Sequence, residues 1–233
     1  MYENFSSSQQ QLDTEAGLNS YVSKIFARMF LGLLVTAFAA LITATNETIL
    51  TFLYTTPIMF VFIIAELIIV FSLSARVTKI SFGTAKILFY LYALINGVTL
   101  SSIFLVYNLG TISTAFFTSA MAFGVMAVYG MVTKKDLTKI GSIFLMFLIG
   151  IIIASIINMF LKSSGLELII SFIAVGIFTG LVAFDTQKLK SFYYSSIGNS
   201  EYQNKIGVIG ALSLYLDFIN IFLYVLRIFN NKK

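Results

Sequence analysis

Three carboxylic acids lie within or at the edge of long apolar stretches of this 233-residue chain, where charged groups are rare: Glu66, Asp185 and Asp217. A charge at the centre of a membrane helix costs about 2.5–3.5 kcal/mol on insertion scales, so each acid should face protein or water rather than lipid. Carboxylate oxygens are also ligands that hard cations such as Ca²⁺ prefer. We therefore expect the three acids to converge on an ion or proton site in the cytoplasmic half of a helical bundle.

Asp217 lies near the middle of the stretch 211–229, ALSLYLDFINIFLYVLRIF, which is long enough to cross a bilayer. A helix here would place several polar side chains on one face, at alternating steps of four and three residues: Ser213, Asp217, Asn220, Tyr224 and Arg227. This pattern predicts a helix packed inside the bundle. The alternative is a buried helix whose polar groups are satisfied by their neighbours and have no ion function.

The other two acids also have purely structural interpretations. Asp185 could be an interfacial residue beside Lys188 at a helix end. Glu66 could form an ion pair with Arg76 or Lys79 that has no functional role. The sequence leaves these alternatives open.

The composition indicates a polytopic membrane protein, because 58% of the residues are hydrophobic and only 11% are charged. Soluble domains carry about 25% charged residues. Cysteine is absent, which excludes disulfides, thiol catalysis and thiolate metal sites. Histidine is absent too, so a pH response near neutrality would have to come from a carboxylate. We expect no bound cofactor and no nucleic-acid partner.

Hydropathy predicts an all-α fold of seven membrane-spanning helices, in which residues 1–23 are a polar cytoplasmic tail and residues 24–230 form the transmembrane domain. The first five spans are expected at about 24–44, 50–73, 87–107, from 108–110 to 132, and 140–161. The sixth is expected at about 167–186 and the last from Lys205, joined by a polar loop over 187–204. Asp185 and Asp217 can then meet only if the sixth helix continues past Lys188 or the last begins in the cytosol.

Basic residues predict the orientation of these spans. The N-terminal flank and the loops after the second, fourth and sixth spans hold eleven of the 15 Lys and Arg residues. The positive-inside rule therefore places the N-terminus in the cytoplasm and, with seven spans, the C-terminus outside. The cluster from Arg227 to Lys233 opposes this orientation. We expect a multi-pass protein of a bacterial plasma membrane.

Several motifs together resemble the Bax inhibitor family, also called transmembrane Bax inhibitor motif proteins. They are SLYLDFINIFLYVLRIF in the last span, FDTQKLK at the end of the sixth, and Glu66 followed by Arg76 at the cytoplasmic end of the second. The resemblance covers about 21–230. It implies two three-helix layers around a central C-terminal helix, and a pH-sensitive calcium leak with paired aspartates as the sensor. Asp185 and Asp217 then take the aspartate roles, Glu66 is the acid of the ion pathway and Arg76 is the gating latch.

Three functions compete on this basis. The leading one is a passive calcium leak channel and not an enzyme, with Ca²⁺ as the transported ion bound by Asp185, Asp217 and Glu66. A diaspartyl intramembrane protease also needs two aspartates, but such enzymes carry a glycine-rich motif before the second one, whereas Leu214-Tyr215-Leu216 precedes Asp217 here. The third is a non-conducting membrane regulator that binds a protease or a stress- or death-pathway partner. The sequence identifies no protein partner.

Overall fold

The structure is a computed structural model that describes residues 2–230, with the side chains of residues 2–13 and residue 54 excepted. The regular secondary structure of this part consists of helices only: α1 (Tyr2–Thr45), α2 (Glu47–Thr55), α3 (Ile58–Arg76), α4 (Phe82–Leu100), α5 (Ile103–Val106), α6 (Leu109–Val132), α7 (Thr138–Leu161), α8 (Ser164–Ser195) and α9 (Ser200–Asn230). Seven segments of the described chain are long and apolar enough to cross a membrane, with α4 and α5 together forming the third. The predicted all-α, seven-span fold is confirmed.

The last helix is the centre of the bundle, as predicted. α9 packs against α1, α4, α6 and α8. On one side α4 packs between α1 and α3, and on the other α8 packs between α6 and α7, which gives two three-helix layers around α9. The outer helices α3 and α7 instead expose large apolar side chains such as Phe60 and Met146, as helices in contact with lipid must.

The second span differs from the prediction because a proline interrupts it. Pro57 has no N–H group and disfavours a helical conformation in the residue before it. Thr56 is accordingly extended, with φ −114° and ψ 159°, and separates the short helix α2 from α3. Hydropathy alone merged these two helices into one span over 50–73.

The N-terminal boundary also differs, because α1 passes through residue 23 without a break. Leu18, Tyr21 and Val22 are buried, and the Tyr21 ring lies 5.7 Å from that of Tyr193 on α8. The segment from Leu18 therefore belongs to the bundle rather than to a tail. Its apolar residues recur at helical spacing, but the polar residues between them lower the averaged hydropathy, so a hydropathy profile does not detect this helix face.

The predicted loop over 187–204 is wrong, since most of it is helical. α8 continues to Ser195 and α9 begins at Ser200, so the connection is the tight turn 196–199, with Gly198 at φ +88°. The polar residues of this region lie on helix surfaces. Lys205, for example, forms an ion pair with Glu201 one turn earlier, at 3.0 Å. The first condition under which Asp185 and Asp217 can meet is fulfilled, because α8 continues past Lys188 to Ser195.

Two glycines allow helix backbones to approach each other closely, one in each layer. A Cβ on Gly97 of α4 would lie 2.4 Å from the carbonyl oxygen of Thr36 on α1. A Cβ on Gly130 of α6 would lie 2.3 Å from the carbonyl oxygen of Ala183 on α8. Both distances are too short for any other residue without backbone movement, so these positions fix the spacing of the helices that flank α9.

Candidate ion and proton site

The central helix and its neighbour α8 bring two of the three predicted acids together. Gly210 lets the two helices approach, since a Cβ at this position would lie 2.6 Å from Leu189 Cδ2. The side chain of Gln187 holds α8 against the α6–α7 loop. It accepts a hydrogen bond from Leu137 N at 2.9 Å and donates one to the carbonyl oxygen of Lys135 at 2.8 Å. These contacts fix α8 two residues after Asp185.

The carboxyl groups of Asp185 and Asp217 approach each other closely enough for a hydrogen bond between them. Asp217 is 5% exposed, and its Oδ2 has no hydrogen-bond partner among the described residues. A carboxylate can only accept hydrogen bonds, so two carboxyl groups can bond to each other only while one of them carries a proton. The arrangement therefore suits two acids that share one proton.

One cation near this pair is Lys188, which lies on α8 with Asp185. Lys188 attracts the charge of Asp185. The Lys188 ammonium lies 5.8 Å from the ring centroid of Phe184 and 5.4 Å from that of Phe192, so aromatic faces hold it beside the site. No ion pair within 4.0 Å joins either aspartate to a basic residue in the described part of the chain, where the one such pair is Lys205–Glu201.

Glu66 does not join the two aspartates. Its Oε1 accepts a hydrogen bond from the Thr99 hydroxyl at 2.8 Å, and its Oε2 accepts one from Asn96 Nδ2 at 3.4 Å. No group of three or more acidic residues that could hold a metal occurs in residues 14–230, residue 54 aside. The expected convergence of three carboxylates is therefore wrong for this conformation, because polar groups of α4 hold Glu66 at another site.

A chain of hydrogen bonds links Glu66 to the central helix. Asn96 Oδ1 accepts a bond from the Tyr215 hydroxyl at 2.9 Å, and this hydroxyl lies 2.6 Å from the Thr36 hydroxyl on α1. Tyr215 and Thr36 are both buried. We call the five residues Thr36, Glu66, Asn96, Thr99 and Tyr215 the tyrosine network. It connects α1, α3 and α4 to α9.

Arg76, the predicted latch, is the last residue of α3 and is exposed. Its carbonyl oxygen accepts hydrogen bonds from the N–H groups of Lys79 and Ile80, at 2.9 and 3.1 Å. Its guanidinium forms no ion pair with the described carboxylates. The aspartate pair is therefore not latched by Arg76 in this conformation, and the proposed pairing of Glu66 with Arg76 or Lys79 is absent too.

Sequence reasoning missed Tyr215 and Thr36 as partners in a site. Asn96 and Thr99 were the available signal, because an amide within a membrane span requires a hydrogen-bonding partner. That requirement does not identify the partner. The phenol of Tyr215 and the hydroxyl of Thr36 are common in apolar helices, and only the packing of α1, α4 and α9 brings them together.

Comparisons with known proteins decide the family. The family described as "Inhibitor of apoptosis-promoting Bax1" matches residues 18–233. The chain belongs to the Bax inhibitor family. It is 42% identical to an inner membrane protein of Escherichia coli strain K12, YbhL, over 99% of this chain and the whole of that protein.

Other relatives in this family are similar over comparable lengths. An uncharacterized protein of Borreliella burgdorferi is 43% identical over 92% of this chain and 93% of its own length. An uncharacterized membrane protein of Streptococcus pyogenes is 36% identical over 94% and 96%. With seven spans and these relatives, the chain is a multi-pass membrane protein of the Bax inhibitor family.

Proposed function

We propose that this Bax inhibitor family member is a passive calcium leak channel, without enzymatic activity, whose conductance is controlled by the proton shared between Asp185 and Asp217. The observation that carries the proposal is the contact between the two carboxyl groups on adjacent helices of the bundle. Asp217 Oδ2 is buried without a partner in the described structure and is available to a cation. Hard oxygen ligands of this kind suit Ca²⁺.

The proposed gating step follows from the charge of the pair. With one proton shared, the pair carries one negative charge and its hydrogen bond holds α8 against α9. Loss of that proton leaves two like charges in contact, which repel each other and favour separation of the helices. The same step creates a doubly charged site for a divalent cation. Flux should therefore increase as the pH rises.

Reconstituted protein tests the conducting function directly. Purified protein in liposomes should pass Ca²⁺ down its gradient without nucleotide or counter-ion, measured with an enclosed calcium indicator between pH 5 and 8. Empty liposomes, and liposomes with heat-denatured protein, provide the background. Folded protein that shows no flux above this background over the whole pH range would contradict the proposal and favour a non-conducting regulator.

The regulator is the second candidate function, and its support is the description of the family as an inhibitor of a protein that promotes apoptosis. Such a protein would act through a partner rather than through an ion. The roles of Glu66 as the acid of the ion pathway and of Arg76 as a latch stay predictions, since neither residue contacts the aspartate pair in this conformation.

The orientation of the protein is part of the proposal, because a leak has a source and a destination. We infer that the N-terminus is cytoplasmic, from the basic residues at that side of the bundle. In this chain, which has no native cysteine, Ser195→Cys should react with a membrane-impermeant thiol reagent only from the cytoplasmic side, and Glu47→Cys only from outside. Both side chains are exposed, whereas Ser196 is 2% exposed, so Ser196→Cys is the unreactive control. Labelling of both exposed positions from one side would contradict the seven-span orientation.

A further inference from the structure

A polar cavity lies at the end of the bundle remote from the α8–α9 turn, between the end of α7, the start of α8 and the end of α9. Its volume is about 430 Å³. The polar and charged residues that line it are Ser155, Asn158, Lys162, Ser164, Glu167 and Arg227. None of them belongs to the aspartate pair or to the tyrosine network, so this cavity is a separate feature of the molecule.

Arg227 is a half-buried cation in this cavity, and no carboxylate of the described residues forms an ion pair with it. Its guanidinium carbon lies 5.1 Å from the ring centroid of Tyr224, one turn earlier on α9. It makes no ion pair within 4.0 Å with a carboxylate of the described residues, and no acceptor among them takes a hydrogen bond from it. A guanidinium has five N–H donors, and a partly buried charge without a counter-charge is costly. The site therefore favours an oxyanion as occupant.

Neighbouring groups supply further donors for such an occupant. Lys162 ends α7 in the left-handed conformation, at φ 51°, and adds a second positive charge. The hydroxyl of Ser155 is buried and has no hydrogen-bond partner among the described residues. Glu167 carries the opposite charge, but the two cations outnumber it and leave the cavity with a net positive charge. A phosphate, which accepts hydrogen bonds from a guanidinium in pairs, matches this set of donors.

The surroundings of the cavity indicate where the phosphate comes from. Next to it, Met159, Phe160 and Leu161 at the end of α7 are 66%, 77% and 64% exposed, and Ile169 on α8 is 57% exposed. These side chains make an exposed apolar surface of the kind that marks a membrane contact. An occupant with an anionic head and acyl chains would satisfy the cations and this surface together, whereas a free oxyanion would use only the cations.

We propose that this cavity binds the phosphate group of an anionic phospholipid, with Arg227 and Lys162 as its charged ligands and the acyl chains against the end of α7. The proposal is independent of calcium conduction. It places one specific lipid between α7, α8 and α9, in the leaflet on the C-terminal side.

Native mass spectrometry of the purified protein tests this site. Detergent-solubilised protein is mixed with phosphatidylglycerol and phosphatidylcholine in equal amounts, and the retained lipid is counted. We expect one retained phosphatidylglycerol, with Arg227→Gln and Lys162→Gln each reducing its occupancy about fivefold, the effect of one basic residue at a membrane surface. Arg227→Lys should retain an intermediate amount, because an ammonium cannot form the paired contact. Lys139→Gln, an exposed lysine at the other end of α7, is the matched control and should have no effect.

Folding is checked for every variant by circular dichroism and size-exclusion chromatography, and Arg227→Lys keeps the test valid if Arg227→Gln does not fold. A second arm adds inorganic phosphate alone, at about 10 mM, and measures thermal stability. Stabilisation by phosphate without selective retention of phosphatidylglycerol would identify a soluble oxyanion and overturn the lipid assignment. Equal retention of both lipids, or equal loss in Arg227→Gln and Lys139→Gln, would also overturn the proposal.

Discussion

The central helix carries two polar sites of opposite character on its two sides. Tyr215 and Asp217 are two residues apart on α9, so their side chains point about 200° apart around the helix. On one side Tyr215 joins the tyrosine network, in which the described polar atoms have hydrogen-bond partners at 2.6 to 3.4 Å. On the other side Asp217 meets another acid, and its Oδ2 has no partner in the described structure.

This difference indicates which contact is fixed and which can change. Each oxygen of Glu66 accepts a hydrogen bond from a neutral donor, so the network holds together without a second charged group. In the proposed mechanism the aspartate contact instead depends on a single shared proton, and removing that proton converts attraction into repulsion. We infer that α9 is anchored to α1 and α4 on the tyrosine side, and that its contact with α8 responds to pH.

The largest predicted effect comes from removing one member of the aspartate pair. Asp217→Asn keeps the size and the hydrogen bond but leaves a single carboxyl group, so the coupled titration is lost. Flux rises with pH in the proposed mechanism, and the ratio of protonated to deprotonated pairs changes tenfold per pH unit. With a midpoint between about pH 6 and 7, the deprotonated fraction of the wild-type pair rises at least about tenfold from pH 5 to pH 8. We therefore expect the ratio of calcium flux at pH 8 to flux at pH 5 to decrease from at least about tenfold in the wild type to less than about twofold in this variant. Asp185→Asn should act similarly.

Glu66→Gln is the matched control, since it removes a membrane acid that lies on the other side of α9 from the aspartate pair. It should preserve the pH dependence of flux, whatever it does to the rate. If both asparagine variants kept the wild-type profile while Glu66→Gln flattened it, the sensor would be Glu66, and the comparison between the two sides of α9 would be reversed.

A second prediction concerns the anchored side. Tyr215→Phe removes the hydroxyl that bonds to Asn96 and leaves buried polar groups unsatisfied, which costs about 1–3 kcal/mol. The variant should unfold at a lower temperature in detergent, and the pH midpoint of its calcium flux should stay unchanged. Tyr224→Phe is the control, because the Tyr224 ring is half-buried and its contacts with Phe178 and Arg227 use the ring face. A shifted midpoint in Tyr215→Phe would show that the two sides of α9 are coupled.

The elements of this fold were largely predictable, whereas the partners of its polar groups were not. Composition and hydropathy predict seven spans, because the bilayer allows few alternatives to apolar helices. The helix ends were harder to predict from the sequence. Pro57 breaks the second span, and the polarity of residues 187–204 predicts a loop where most of the chain is helical.

Of the candidate site, the aspartate pair was predictable and the position of Glu66 was not. Asp185 and Asp217 stand out as acids in apolar stretches with recognisable flanking motifs. Nothing in the sequence around Glu66 distinguishes a cluster with them from a hydrogen bond to Thr99, since both satisfy the carboxylate. The packing of α4 between α1 and α3 determines which groups bind Glu66, because it places Asn96 and Thr99 beside this carboxylate.

The smallest predicted effect concerns Ser213, one turn before Asp217 on the same face of α9. Its side chain is half-buried, and no hydrogen bond joins it to either aspartate in the described structure. Ser213→Ala removes a dipole near the pair without changing the number of titrating groups. We therefore expect the midpoint of the flux–pH curve to move by about 0.3 pH unit or less, which corresponds to about 0.4 kcal/mol, with the slope unchanged. Ser119→Ala on α6 is the control, because that hydroxyl bonds within its own helix, to the carbonyl oxygen of Ala115 at 2.7 Å. A shift of a full unit in Ser213→Ala alone would make Ser213 a third member of the proton site, and the shared proton would then no longer belong to two carboxyl groups only.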